Sequence, residues 1–245
     1  MTADPFDTVS YDDCGFDISD NNGSLDFQQL GGAGGRKFCI LKLTEGLTYV
    51  DQAFAPYMTA LMQQSSITRF GVYHFAHHES PIDQMEYFLN AFTAWKRNLS
   101  GGSVTQYAAL APEFLFMLDL ERGANPPVES DGLAMVQYLK NLGIQPMIYC
   151  GYDFWSQNWP ALDSCSCFLA AYDSTPTSPI PWRIPSASVY GWDLWQYTGD
   201  SLGPWAKNLP GGSSGMDLSC FNLLKHPTGV EAWWDAQLAA TTQPA

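Results

Sequence analysis

Two carboxylates one residue apart close a short apolar run, Glu113-Phe-Leu-Phe-Met-Leu-Asp-Leu-Glu121. In an extended chain successive side chains alternate faces, so Asp119 and Glu121 point the same way, with Cβ atoms about 6–7 Å apart. At that spacing each charge disfavours ionisation of the other. Two carboxyl groups whose proton affinities are pushed apart suit hydrolysis of a glycosidic bond. A protonated one donates to the leaving oxygen, and an ionised one stabilises the positive charge that develops. A strand end carrying two solvated acids is the plainer alternative, and the isolated motif does not choose between them.

The elements that must position the pair are strand-like runs of four to eight residues, each followed by a loop and, in the first half, by a helix-like segment. The runs are Cys14–Ile18, Lys37–Thr44, Arg69–Ala76, the acid-bearing run, Gln145–Cys150, Cys167–Tyr172, Gly191–Tyr197 and Gly215–Ser219. Helices are expected at Ser24–Leu30, at Asp51–Gln64 and from Pro81 to about Trp95, with Ser80 as N-cap. Two more are expected at Pro126–Leu142, closed by Gly143, and at Gly229–Ala240. This order predicts an α/β fold, an irregular TIM-like β/α barrel with about five helix-bearing units and three further strands. Residues 174–188 read as a long loop, and 241–245 as a tail.

In β/α barrels chemistry gathers at the C-terminal ends of the strands. At that height the sequence places Asp17, Lys42, Glu45, Tyr73, His74, Asp119, Glu121, Tyr149, Tyr172, Trp195, Gln196, Tyr197 and Asp217. Lys42 and Glu45 also fit a strand-end ion pair that serves structure alone.

Composition narrows the partners. The 245 residues carry 11 Lys+Arg against 25 Asp+Glu, a net charge of −14, which disfavours phosphate backbones and anionic membrane surfaces. Nine Trp, twelve Tyr and fourteen Phe suit a groove that stacks on sugar rings, although an aromatic-rich core accounts for them equally well. The six cysteines, at 14, 39, 150, 165, 167 and 220, lack zinc-site spacing and leave both disulfides and thiols open. His74, His77 and His78 have no carboxylate at metal-site spacing, so no metal and no cofactor are expected. The glycines at 31–35 lack the G-K-[ST] ending of a phosphate loop and read as a linker. No secretory signal is visible at the N-terminus, and no segment has the length of a membrane span.

Taken in order, eight short motifs resemble glycoside hydrolase family 25, the N-acetylmuramidase lysozymes of bacteria, fungi and phages. They are Gly15-Phe-Asp-Ile-Ser19, Lys42-Leu-Thr-Glu-Gly46, Gly71-Val-Tyr-His-Phe-Ala76, Leu118-Asp-Leu-Glu121, Met147-Ile-Tyr-Cys-Gly151, Leu169-Ala-Ala-Tyr172, Leu194-Trp-Gln-Tyr197 and Met216-Asp-Leu-Ser219. The resemblance spans about 13–222 and implies cleavage of the β-1,4 bond between N-acetylmuramic acid and N-acetylglucosamine in peptidoglycan. It implies Glu121 as proton donor and Asp119 as the acid that steers the substrate's acetamido group in a retaining, substrate-assisted step. Asp17 and Asp217 match flanking acids. Lys42, Glu45, Tyr73, His74, Tyr149, Tyr172, Trp195, Gln196 and Tyr197 are the substrate-binding candidates. Negative neighbours favour a protonated Glu121, hence an acidic to near-neutral optimum.

One catalytic domain over 1–245 is expected, with no separate wall-binding domain. The expected partner is the peptidoglycan glycan strand, met by a monomer at the bacterial cell wall. Release at phage lysis or secretion of a mature chain would each bring it there. A sugar-binding barrel without turnover and a glycosidase acting on another amino-sugar polymer, such as chitin, are the competing expectations.

Overall fold

Nine strands form one sheet that closes on itself in the computed structural model, which describes residues 15–32, 36–63, 67–99, 114–151, 164–172, 192–199, 210–213, 216–223 and 225–241. In chain order they are β1 (Gly15–Ile18), β2 (Phe38–Glu45), β3 (Tyr49–Val50), β4 (Arg69–Phe75), β5 (Leu115–Asp119), β6 (Met147–Gly151), β7 (Ser166–Ala170), β8 (Leu194–Thr198) and β9 (Asp217–Phe221). The sheet order is β1-β9-β8-β7-β6-β5-β4-β2-β3, and pairing of β1 with β2 closes an eight-stranded ring. β3, which the sequence reading did not anticipate, lies outside the ring as the antiparallel hairpin partner of β2.

The ring is parallel from β1 through β2 and β4 to β8, but β9 runs antiparallel to both of its neighbours. An antiparallel last strand starts where the others end. Asp217, the first residue of β9, therefore reaches the same rim as the C-terminal ends of the parallel strands.

Side chains alternate along every strand, giving the barrel two cores. Phe38, Ile40, Met117, Met147, Phe168 and Leu194 fill the interior. Trp233 and Trp234 cap its floor from α5 (Val230–Ala240), with Trp234 5.5 Å from the Phe38 ring and Trp233 5.3 Å from Phe221. The intervening residues, among them Phe16, Leu41, Val72, Phe116 and Leu118, face the surrounding helices. Gly15 belongs to the inner layer: a Cβ there would stand 2.4 Å from the Phe38 ring, so only glycine lets β1 and β2 pair at this height.

The outer helices are α1 (Phe27–Gly32), α2 (Phe54–Met62), α3 (Pro81–Leu99) and α4 (Glu129–Asn141). α1 and α2 begin later than predicted, α1 with Asp26 holding its first turn and α2 only at Phe54, after a turn that Asp51 organises and with no side-chain cap of its own. Asp26 accepts from the backbone N–H groups of Gln28 and Gln29, and Asp51 from those of Asp20 and Ala53. α3 starts at Pro81 as predicted, carries Asp83 in its first turn and Lys96 and Arg97 in its last, and continues to Leu99. α4 stops where Gly143 takes φ 78°.

At the floor, the buried Asp193 accepts from the backbone N–H of Cys167 (2.7 Å) and pairs with Lys225 Nζ (2.7 Å) and His226 Nε2 (2.6 Å). It ties β7, β8 and the approach to α5 together. Cys39 and Cys165 are free thiols. The start of the first run at Cys14, linker residues 33–35, the loop expected at 174–188 and residues 242–245 lie outside the described residues.

Candidate active site

The inward-facing residues at the rim begin with the acid pair. β5 ends at Asp119, but Leu120 N–H still donates to the Tyr149 carbonyl (2.9 Å), which prolongs the extended geometry by one residue. Leu120 is buried in the outer shell, and Glu121 returns to the inner side beyond Asp119, partly exposed. The D-x-E spacing thus sets both acids on one face of the chain.

Asp119 is 5% exposed, and its Oδ1 is buried with no hydrogen-bond partner. Burial, then the charges of Glu121 and Asp17, raise its proton affinity well above the usual carboxylate range, against the pull of Lys42. Asp17 faces Asp217 directly across the β1–β9 pair. Its proton affinity is also raised well above the usual range, by burial first and then by Asp217 and Glu121, while the hydrogen bond from Gln196 works the other way. Four carboxyl groups from β1, β5 and β9 therefore share one rim, where ionising all of them at once is costly.

Gln196, inward on β8, sits at the centre of the remaining polar contacts. Its Nε2 donates to both oxygens of Asp17, at 3.0 and 2.9 Å. Its Oε1 accepts from the Tyr149 hydroxyl at 2.8 Å and from the Tyr172 hydroxyl. Tyr73 is inward on β4, and burial first, then the charges of Asp119, Asp17 and Asp217, push its phenol well above the ordinary range. On the β2 side, Lys42 Nζ pairs with Glu45 Oε2 at 2.5 Å and lies 4.9 Å from the Phe75 ring centroid and 5.5 Å from that of Tyr49. Glu45 Oε1 in turn faces His77 Nε2 at 3.2 Å.

Residues 16–203 match the family described as Glycosyl hydrolases family 25. The chain belongs to that family. An N,O-diacetylmuramidase of Chalaropsis sp is 32% identical over 234 residues, covering 88% of this chain and 99% of the relative. One of Arthroderma benhamiae is 29% identical over 210 residues, 76% of this chain and 80% of its own. Among solved structures, a muramidase from Trichobolus zukalii superposes with a TM-score of 0.66 at 26% identity, over 93% of this chain and 99% of that one. The catalytic domain of endolysin ply40, from bacteriophage P40 of Listeria monocytogenes, has a TM-score of 0.61 at 18% identity, over 93% and 97%, and shares the fold.

In this family 25 hydrolase the structure gathers most of the residues singled out from sequence, and separates three of them from the rim. Asp17, Lys42, Glu45, Tyr73, Asp119, Glu121, Tyr149, Tyr172, Gln196 and Asp217 come together. His74 does not. It faces α3, fully buried, with Nδ1 2.8 Å from Thr44 Oγ1, Nε2 3.1 Å from Gln84 Oε1 and its ring against Phe88. Burial keeps it neutral, pulling its pKa down to about 4. Trp195 and Tyr197 also belong to the outer core, where Trp195 Nε1 donates to the Ala171 carbonyl. The reason is the period of two. Tyr73 and His74 are adjacent on a strand, as are Trp195, Gln196 and Tyr197, and adjacent residues cannot share the inner face.

Gln196 reaches the rim but is 1% exposed, with both ends of its amide engaged by protein groups, so its place is behind the binding surface. Three further residues that were not among the site candidates bear on the rim. Phe75 follows Tyr73 at i+2 and was legible by alternation. His77 reaches Glu45 from the loop after β4. Gly199 leaves room for Tyr172, whose hydroxyl would lie 2.3 Å from a Cβ there, with Asp217 Oδ1 at 3.0 Å. A glycine set by a neighbour's hydroxyl leaves no pattern in the sequence.

Proposed function

We propose that this hydrolase cleaves peptidoglycan at the β-1,4 bond between N-acetylmuramic acid and N-acetylglucosamine, acting on the bacterial cell wall. The relatives named as N,O-diacetylmuramidases support the substrate. The observation that carries the chemistry is the buried, unpartnered Oδ1 of Asp119 beside Glu121. A buried acceptor without a donor is costly, and a substrate amide N–H would satisfy it.

Asp119 accepts from the acetamido N–H of the sugar whose anomeric bond breaks, turning the acetamido oxygen towards the anomeric carbon. That oxygen attacks from the face opposite the leaving group. Glu121 donates its proton to the glycosidic oxygen as the C–O bond breaks. Glu121, now ionised, takes a proton from water, which attacks the anomeric carbon and opens the cyclic intermediate with net retention. Asp17 and Asp217, sharing negative charge between them, set carboxyl oxygens beside the cationic transition state. Tyr73, Tyr149 and Tyr172 line the sugar-binding surface, while Lys42, held by Glu45 and packed on Phe75, closes its β2 side.

The test is reduction of the digestion products of purified peptidoglycan with borohydride, followed by mass spectrometry. Muramitol is the expected new end group. Glucosaminitol would move the cut to the other bond of the disaccharide, and no new reducing end from peptidoglycan with release from chitin would reassign the polymer.

A further inference from the structure

The four hydrogen bonds of Gln196 do more than fill a buried site. An ionised carboxylate only accepts, so the amide must turn Nε2 to Asp17 and Oε1 to the two tyrosines. Oε1 then takes the hydroxyl protons of Tyr149 and Tyr172, whose hydroxyls also interact with each other, and the remaining phenol lone pairs, chiefly that of the more exposed Tyr172, face whatever binds at the rim. Gly199 is part of this arrangement, since any Cβ there would displace the Tyr172 hydroxyl.

We infer that Gln196 is a positioning residue that holds both oxygens of Asp17, favouring its anionic form against its acidic neighbours, and commits Tyr149 and Tyr172 to accept hydrogen bonds from substrate. The inference rests on the muramidase reading for the identity of the substrate, but not for the behaviour of Asp17. Three elements with no sequence proximity, β1, β6 and the end of β7, are coupled through one amide on β8. The arrangement favours sugar N–H and O–H donors over acceptors at the Tyr149–Tyr172 side of the rim.

Asp17 is faced by Asp217 from β9, Asp119 from β5 and Glu121 just beyond it, Tyr73 from β4, Tyr149 from β6 and Tyr172 from the end of β7, with the Cys39 thiol of β2 within electrostatic reach on the outer side. Its carboxylate neighbours oppose its ionisation, and Gln196 is the side-chain donor that favours it. Replacing that donor by an apolar group of similar size therefore moves ionisation of Asp17 to higher pH.

The experiment compares wild type, Gln196→Leu, Gln196→Glu and Gly199→Ala in two measurements across pH 3.5–8. The first is kcat and KM on purified peptidoglycan. The second is the melting temperature, which needs no activity. Gln196→Leu is expected to move the acidic limb of kcat/KM upward by about one pH unit, the size of one hydrogen bond to a charged group. Gln196→Glu moves it further. Gly199→Ala, which keeps the bond to Asp17 but displaces Tyr172 and crowds Asp217 Oδ1, raises KM several-fold and moves the limb less than Gln196→Leu does. The melting temperatures of wild type and Gln196→Leu should diverge as pH rises, because the variant holds the Asp17 proton more tightly when folded.

A parallel fall in kcat at all pH values, with an unmoved limb and a constant melting offset, would overturn the inference. If wild type releases no muramic acid ends yet the melting curves still diverge with pH, the muramidase reading fails and the role of Gln196 stands.

Discussion

At the scale of single residues the rim holds two acids, Asp17 and Asp119, whose proton affinities are raised above the usual carboxylate range. Asp119 is the clearest case, because burial and the charge of Glu121 raise its proton affinity in the folded state above that of the unfolded chain. Its contribution to stability is complete below the ordinary carboxylate range and is lost as pH rises through the raised folded value. Asp119→Asn should therefore melt higher than wild type at pH 7, with a smaller difference at pH 4, while reducing-end release falls by roughly 10²–10⁴-fold. Thermal melts at the two pH values check the first part. A variant that melts lower than wild type at pH 7 would contradict the electrostatic reading of the site. The same crowding of acids sets the pH dependence of catalysis. The rate should pass through an acidic to near-neutral maximum and decline on the alkaline side as the proton donor is lost. A rate still climbing at pH 9 would contradict Glu121 as that donor.

At the scale of elements, two residues far from the chemistry hold the barrel that presents it. Gly15→Ala would drive a methyl into the Phe38 ring in the interior and should cost about 1–3 kcal/mol, measured by denaturant unfolding. Asp193 works in the opposite sense to Asp119. Burial alone would raise its pKa, but the hydrogen bond from His226, the charge of Lys225 and the Cys167 N–H outweigh it and hold Asp193 below the usual range. Its contribution is present above the ordinary carboxylate range and is lost as pH falls through the lowered folded value. Asp193→Ala should cost about 3 kcal/mol at pH 7, less at low pH, by removing the partner of a mostly buried ion pair.

The elements were also where the sequence was most legible. Eight apolar runs ending in polar residues gave the barrel, and Pro81 and Gly143 marked helix ends, because these features act locally. Two things were not local. Whether β9 runs parallel or antiparallel depends on how the ring closes, and its reversal is what brings Asp217 to the rim from the start of a strand. Which of several adjacent rim residues faces inward depends on the phase of alternation, and treating Trp195, Gln196 and Tyr197 as one group ignored that phase. The D-x-E pair escaped this error because its own spacing carries the alternation.

At the scale of the whole molecule, a net charge of −14 meets a polymer that carries anionic groups of its own. Association with intact wall should then be slowed by repulsion that salt relieves. The rate on intact walls is expected to rise several-fold from about 10 mM salt to about 150 mM, where the screening length is roughly 8 Å. The rate on small uncharged glycan fragments should change little over the same range. Turbidity clearing and fragment hydrolysis, run side by side, separate the two. A rate that falls steeply with salt would instead point to a cationic docking surface. The central claim, that the inward acid pair performs the cleavage, is tested most directly by reducing-end release from purified peptidoglycan with wild type and Glu121→Gln, both shown to be folded. A loss of roughly 10²–10⁴-fold in kcat with KM little changed is expected for removal of the proton donor. A Glu121→Gln variant that keeps its rate within a few-fold of wild type would contradict it.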